Sequence, residues 1–204
     1  HVADLDDPRI ATVVGSLADD DLAERCIDAA RSAFGRVDGA VISVGGPPPG
    51  SVLTTSDDVW RAAFETVFLG SVRFARTLCA VLPNGGAIAF VLSTSAREAV
   101  PGLSTSNGLR PGLAMLVKDL ADEVGPRGIR VVGLLPGRID TERVRILDEA
   151  AGAGSRERME AHIPLRRYGR PEEFGEVAAF VLGPGASYLT GCLIPVDGGS
   201  LRSP

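Results

Sequence analysis

Apolar positions along this chain recur with two periods, and the switches between them mark helices and strands. Leu22, Cys26, Ile27, Ala30 and Phe34 fall at helical spacing. They predict a helix over 19–34 that opens among Asp19, Asp20 and Asp21, where acids suit the positive helix end, and stops at Gly35. Ser56 is placed as the N-cap of a long helix carrying Trp60, Phe64, Phe68, Val72 and Leu82. Leu109, Leu113, Leu116, Val117, Leu120 and Val124 form one stripe of another helix, spanning roughly 106–124. Pro111 lacks an N–H and biases Arg110 away from helical angles, so regular winding is expected to start near residue 111. Residues 141–163 are charged and Gly/Ala-rich, with helical pieces such as 142–150. Pro171, followed by Glu172 and Glu173, opens a last helix through Val181.

Between the helices lie short apolar runs at 9–14, 38–43, 87–92, 129–135 and 193–196. They are continuous rather than alternating, as strands of a parallel sheet covered on both faces require. Strand and helix take turns along the chain, which predicts a doubly wound parallel α/β sheet. Neither repeat nor linker interrupts it, so 1–204 is expected to be a single domain. The opening His1-Val2-Ala3-Asp4-Leu5 reads as though a helix were already under way, and no glycine-rich turn precedes Arg9.

Composition narrows the function classes. A length of 204 residues suffices for one large core. With 45% hydrophobic and 23% charged residues, the chain has the make-up of a globular domain. A net charge of −5 without a basic stripe argues against nucleic acid as a partner. Cys26, Cys79 and Cys192 are odd in number and far apart, which predicts buried reduced thiols rather than a disulfide frame or a zinc site. No apolar run is long enough to cross a bilayer. A soluble cytoplasmic protein, with no membrane partner and no metal, is the expectation.

Chemistry-bearing residues gather at the ends of two consecutive strands: Ser93, Thr94 and Ser95, then Arg138, Asp140 and Thr141. Ligands of open α/β sheets sit at that carboxyl edge. The words L-S-T before P-G, L-A-D-E-V-G-P-R-G-I-R-V, P-G-R-I-D-T, P-L-R-R-Y-G-R-P-E-E-F and S-Y-L-T-G-C-L-I-P-V-D-G-G run in one order from about Val14 to Gly199. In these words the chain resembles the short-chain dehydrogenase/reductase family. The resemblance implies a Rossmann-type fold, NAD or NADP as cofactor, hydride exchange with a small carbonyl or alcohol substrate, a homodimer or homotetramer, and a substrate lid at about 141–163. Against the family pattern, the first strand, its glycine-rich turn and the second strand are missing, so the chain is expected to be N-terminally incomplete.

The family's catalytic serine falls on Ser93, but its tyrosine position is Ser106, its lysine position Arg110 and its asparagine position Val67. A serine hydroxyl is several pKa units less acidic than a phenol, and an arginine hardly ever shares a proton. Ser93, Ser106 and Arg110 are the catalytic candidates. Each has a plainer reading: Ser93 ties down its own loop, Ser106 caps a helix, and Arg110 pairs with an acid. The cofactor positions implied are Ser16, Gly45, Gly46, Arg110, Pro136, Gly137, Ile139 and Thr141. Gly45-Gly46 also reads as a bare tight turn and Ser16 as a loop hydroxyl. His162 lies in the presumed lid, able to reach a substrate or simply solvated. Arg138, Arg143 and Arg145 either meet an anionic substrate group or are solvated. The rival to an oxidoreductase is a nucleotide-binding or assembly protein on the same scaffold, with its hydride chemistry impaired or lost.

Overall fold

A computed structural model describes residues 7–202; the helical start suggested for His1–Leu5 lies outside them. Four strands, β1 (Gly39–Ser43), β2 (Ala87–Val91), β3 (Arg130–Pro136) and β4 (Cys192–Val196), form one sheet in that order. Every pairing is parallel, with Ser43 beside Val91, Val91 beside Leu134 and Pro136 beside Val196. The carboxyl ends of all four therefore stand along one edge.

Helices cover both faces, as the continuous apolar strands require. On one side Ile88, Phe90, Leu92, Val131 and Leu135 pack with α1 (Leu22–Phe34), α3 (Gly70–Val81) and α4 (Ser104–Val124). On the other, Ala89, Val132 and Leu134 meet Ala178 and Val181 of α7 (Pro171–Leu182). Neighbouring residues of one strand thus serve opposite cores, the period-2 consequence of the pleat. Arg130, at the foot of β3, is buried and gives its guanidinium N–H groups to the carbonyls of Val181, Leu182, Gly183 and Ala186. That cation satisfies the acceptors left open where α7 ends and sits at the negative pole of its dipole. Two shorter helices, α5 (Glu142–Ala150) and α6 (Ser155–His162), link β3 to α7, and α5 buries none of its residues. No helix among the described residues is long and apolar enough to cross a membrane.

Three expectations need correcting. The run 9–14 forms no strand; it is turn and irregular chain, with Val14 91% exposed. An apolar run becomes a strand only where a neighbour offers a ladder, and none of the described strands pairs with this one. The long helix from Ser56 is not uniform: α2 (Asp57–Ala63) gives way to a π-helical turn, Phe64–Leu69, before α3. Finally, α4 starts at Ser104, so Pro111 lies inside it. A proline there removes one intrahelical bond, at a cost of about 3 kcal/mol in an open helix. Burial of Leu109, Arg110, Leu113 and Val117 around it holds the helix together.

The predicted start of α7 is confirmed, and an ion cluster reinforces it. Glu173 accepts a hydrogen bond from the backbone N–H of Arg170 and two from the Arg167 guanidinium, at 2.7, 2.8 and 2.7 Å. Chiefly through Arg167, and then the Arg170 N–H, its carboxyl is held down to about 2 from an ordinary 4.5. A depressed carboxylate contributes stability that is present above its unfolded pKa and lost as pH falls through the folded one. The urea unfolding midpoint should therefore fall as pH drops from 4.5 toward 2, and the fall should be shallower in Glu173→Gln.

Candidate functional site

Three strand ends build the site. Beyond β1 the chain runs through Val44, Gly45, Gly46 and Pro47; beyond β2 it enters a 3₁₀ turn, Thr94–Ala96; beyond β3 it forms the loop 137–141 ahead of α5. Parallel pairing sets these loops side by side. Arg110 of α4 joins the first two, donating from Nη1 to the carbonyl of Val91 at 2.8 Å and from Nη2 to the carbonyl of Val44 at 3.2 Å. Arg143, in the first turn of α5, joins the third loop to the first by donating to the Pro47 carbonyl at 2.8 Å.

Arg110 is only 4% exposed, and its Nε is buried without a partner. Burial, with the charge of Arg143 added, brings its pKa down to about 10. The plainer expectation for Arg110, a pair with an acid, does not match this arrangement: it pairs with none among the described residues, and one N–H from each terminal nitrogen goes to a backbone carbonyl. It is a clamp on two strand ends.

Ser93 accepts a hydrogen bond from the N–H of Ser95 at 3.1 Å, tying its own loop and leaving its own O–H proton to donate elsewhere. Ser95 and Ser106 share a hydroxyl–hydroxyl bond of 2.8 Å, with both residues buried. Ser106 is the third residue of α4, and Leu103 occupies the cap position, so Ser106 does not cap the helix. Thr105 Oγ1, beside it in sequence, is buried without a partner. Sequence reasoning left Ser95 out of the candidate set, although the tripeptide Ser-Thr-Ser occurs twice, at 93–95 and 104–106, and its last serines are the ones that meet. Val67 sits at the centre of the π turn and is 1% exposed.

A groove of about 600 Å³ runs along the outer side of β1, bounded by Ser16, Val44, Gly45, Gly46, Thr66 and Val67. Ser16 accepts from the N–H of Ala18. A Cβ on Gly46 would come within 2.6 Å of the Arg143 guanidinium, so the missing side chain is the seat of that arginine. The other proline–glycine loop is governed by packing: a Cβ on Gly137 would lie 2.7 Å from Asp197. Ile139 bridges to Gly169, and Asp140 N–H donates to the Gly169 carbonyl at 2.8 Å. Thr141 precedes α5 and makes no side-chain capping bond. His162 Nδ1 is 2.6 Å from the Arg158 carbonyl of its own helix. Tyr168 donates its hydroxyl to Asp148 at 2.9 Å and is pushed up to about 12, first by burial and then by that carboxylate.

A parallel sheet with helices on both faces is an α/β protein of the Rossmann-like class, and glycines, hydroxyls and a proline–glycine loop gather at its carboxyl edge, where such sheets generally bind ligands. The particular kind follows from comparison: a family model described as enoyl-(acyl carrier protein) reductase matches residues 2–200, and the chain belongs to the short-chain dehydrogenase/reductase family. The peroxisomal 2,4-dienoyl-CoA reductase of Saccharomyces cerevisiae is 33% identical over 168 residues, 81% of this chain and 56% of the yeast protein. An L-rhamnose 1-dehydrogenase (NAD(P)(+)) of a Sphingomonas species is 32% identical over 194 residues, covering 94% of this chain and 76% of that one. Among solved structures, L-sorbose reductase of Gluconobacter frateurii, complexed with NADPH and L-sorbose, superposes with a TM-score of 0.86 at 27% identity, over 94% of this chain and 77% of that one. The chain thus spans little more than half the length of the yeast relative.

Removing the Arg110 clamp strands two half-buried carbonyls and leaves a cavity where the buried guanidinium lay, each carbonyl costing up to roughly 1–3 kcal/mol if left unpaired. Arg110→Met is expected to lower stability by about 2–5 kcal/mol in urea unfolding, whether or not ligand is present.

Proposed function

We propose that the protein is an NAD(P)-dependent oxidoreductase exchanging a hydride with a small carbonyl or alcohol substrate, as an atypical member of its family in which Ser106-x-x-x-Arg110 stands where relatives carry Tyr-x-x-x-Lys. The observation that carries this reading is the cluster of Ser93, Ser95 and Ser106 just past the end of β2, whose last carbonyl, that of Val91, is held by Arg110. The dinucleotide, when bound, supplies or accepts the hydride. Everything else falls to the chain's own groups.

The residues fit such a group in two places. The groove along β1 offers Ser16, Gly45 and Gly46 to its adenosine side. Across the edge, Pro136, Gly137, Ile139 and Thr141 form the loop that resembles the family's nicotinamide-side contact, and the Thr141 hydroxyl has no capping duty to hold it back. Arg110 acts by position: it fixes Val44 and Val91, and so the loops that follow them.

Ser93 has its donor proton available and polarises the substrate oxygen. In the reducing direction one hydroxyl of the Ser95–Ser106 pair gives its proton to the substrate oxygen as the hydride arrives, takes its partner's proton in turn, and the pair regains the lost proton from water; in the oxidising direction the proton moves the opposite way. A serine pair is a weaker acid than a phenol, so proton supply limits the rate and turnover is slow. Helices α5 and α6 cover the substrate as a lid, consistent with the absence of buried residues on α5. The protein works in the cytoplasm, where Cys26, Cys79 and Cys192 stay reduced. It assembles as a homodimer or homotetramer through the π turn and α4, where Phe64 and Met115 are exposed, the latter to 72%.

Fluorescence titration of the full-length protein should show binding of NADH or NADPH, and a panel of carbonyls and alcohols should show nicotinamide turnover. Ser93→Ala and Ser106→Ala are each expected to lower kcat roughly 10²-fold or more, with smaller effects on KM. Binding without turnover across the panel would overturn the oxidoreductase reading. Met115→Glu is expected to reduce the mass measured by light scattering to that of a monomer.

A further inference from the structure

The arginines near the cleft are not equivalent. Arg138 is paired with Asp148 at 3.2 Å, Arg145 with Asp140 at 3.2 Å, and Arg156 with Asp140 and Glu160 at 3.3 and 2.9 Å. Arg143 pairs with no acid among the described residues; its guanidinium lies on Gly46 and donates to the neutral carbonyl of Pro47. Close enough to influence it is a second unneutralised cation, Arg110, buried with its Nε unsatisfied and its pKa lowered partly by Arg143 itself. Arg143 itself lies in the first turn of α5, whose backbone N–H groups add partial positive charge. Among the described residues neither cation has an acid within salt-bridge distance, in a protein whose net charge is −5.

We propose that Arg143 is an oxyanion ligand at the mouth of the cleft, exchanging the Pro47 carbonyl for a phosphate or carboxylate oxygen. The exchange is favourable because a guanidinium bonds a phosphate or carboxylate through two parallel N–H groups, where the Pro47 carbonyl takes one, and because the added negative charge relieves the repulsion between the two cations. Gly46 is part of the device: with no Cβ it lets the guanidinium lie flat over the strand-end turn, between the β1 and β3 loops. Two sources share this chemistry, a phosphate of the dinucleotide and a carboxylate of the substrate. The proposal rests on the oxidoreductase reading only for the choice between them.

Isothermal titration of the full-length protein with inorganic pyrophosphate, ADP-ribose and succinate, none of which needs turnover, tests it. Arg143→Gln is expected to weaken whichever probe binds by roughly 10- to 100-fold, and Arg143→Lys by less. Gly46→Ala keeps the arginine but fills its seat, and is expected to weaken binding as well while the circular dichroism spectrum stays unchanged. Weaker pyrophosphate and ADP-ribose binding with succinate unaffected assigns the site to the dinucleotide phosphate; the converse assigns it to a substrate carboxylate. Failure of all three probes to bind, or equal affinities in wild type and Arg143→Gln, overturns the proposal. Loss of anion binding in Arg143→Gln, in a protein that turns over no nicotinamide, would leave this site standing while removing the catalytic reading.

Discussion

The structure turns on a buried arginine bonded to two backbone carbonyls. The last carbonyl of a strand entering a loop often has no ladder partner, and at this edge there are two of them, Val44 and Val91. Water normally satisfies such acceptors, but here a side chain from α4 takes that place. One guanidinium, with its fixed fork, reaches both at once and sets the spacing between the β1 and β2 loops. Arg130 solves the same problem at the other end of the sheet, gathering four carbonyls where α7 stops. In each case the desolvation of a charge is offset by acceptors that have nowhere else to turn.

Much of this was legible in the residues. The four paired strands, both core faces and the helices α3, α4 and α7 follow from continuous apolar runs alternating with helical stripes, because burial on two faces leaves that imprint. Boundaries drifted where a tertiary partner decides them. Pro111 argues locally for a helix start, yet the apolar residues around it hold one continuous helix from Ser104. The run at 9–14 argues locally for a strand, yet finds no ladder.

The site was read less completely, for a physical reason. Spacing along a helix places Ser106 and Arg110 on one face, but it does not say which atoms they meet. That Ser106 bonds Ser95 and that Arg110 bonds carbonyls depends on how the β2 turn lies against α4. Arg143 was one of three arginines with equal claim, and only the pairing of the other two with Asp148 and Asp140 sets it apart. Side chains acting through long-range contacts leave no local period to detect.

The wide turn at Phe64–Leu69 carries a consequence for how this scaffold tolerates change. Such a bulge holds one more residue than regular winding needs, so helix phase slips there by about 100°. It lets the segment ahead of it face one neighbour and the segment behind it another, with Val67 turned inward at the changeover. A one-residue deletion at this point would be absorbed as ordinary winding, but it would swing Trp60 and the whole front half of the helix around its axis. The bulge is therefore the joint at which length variation in this region is converted into a new interface rather than a broken core.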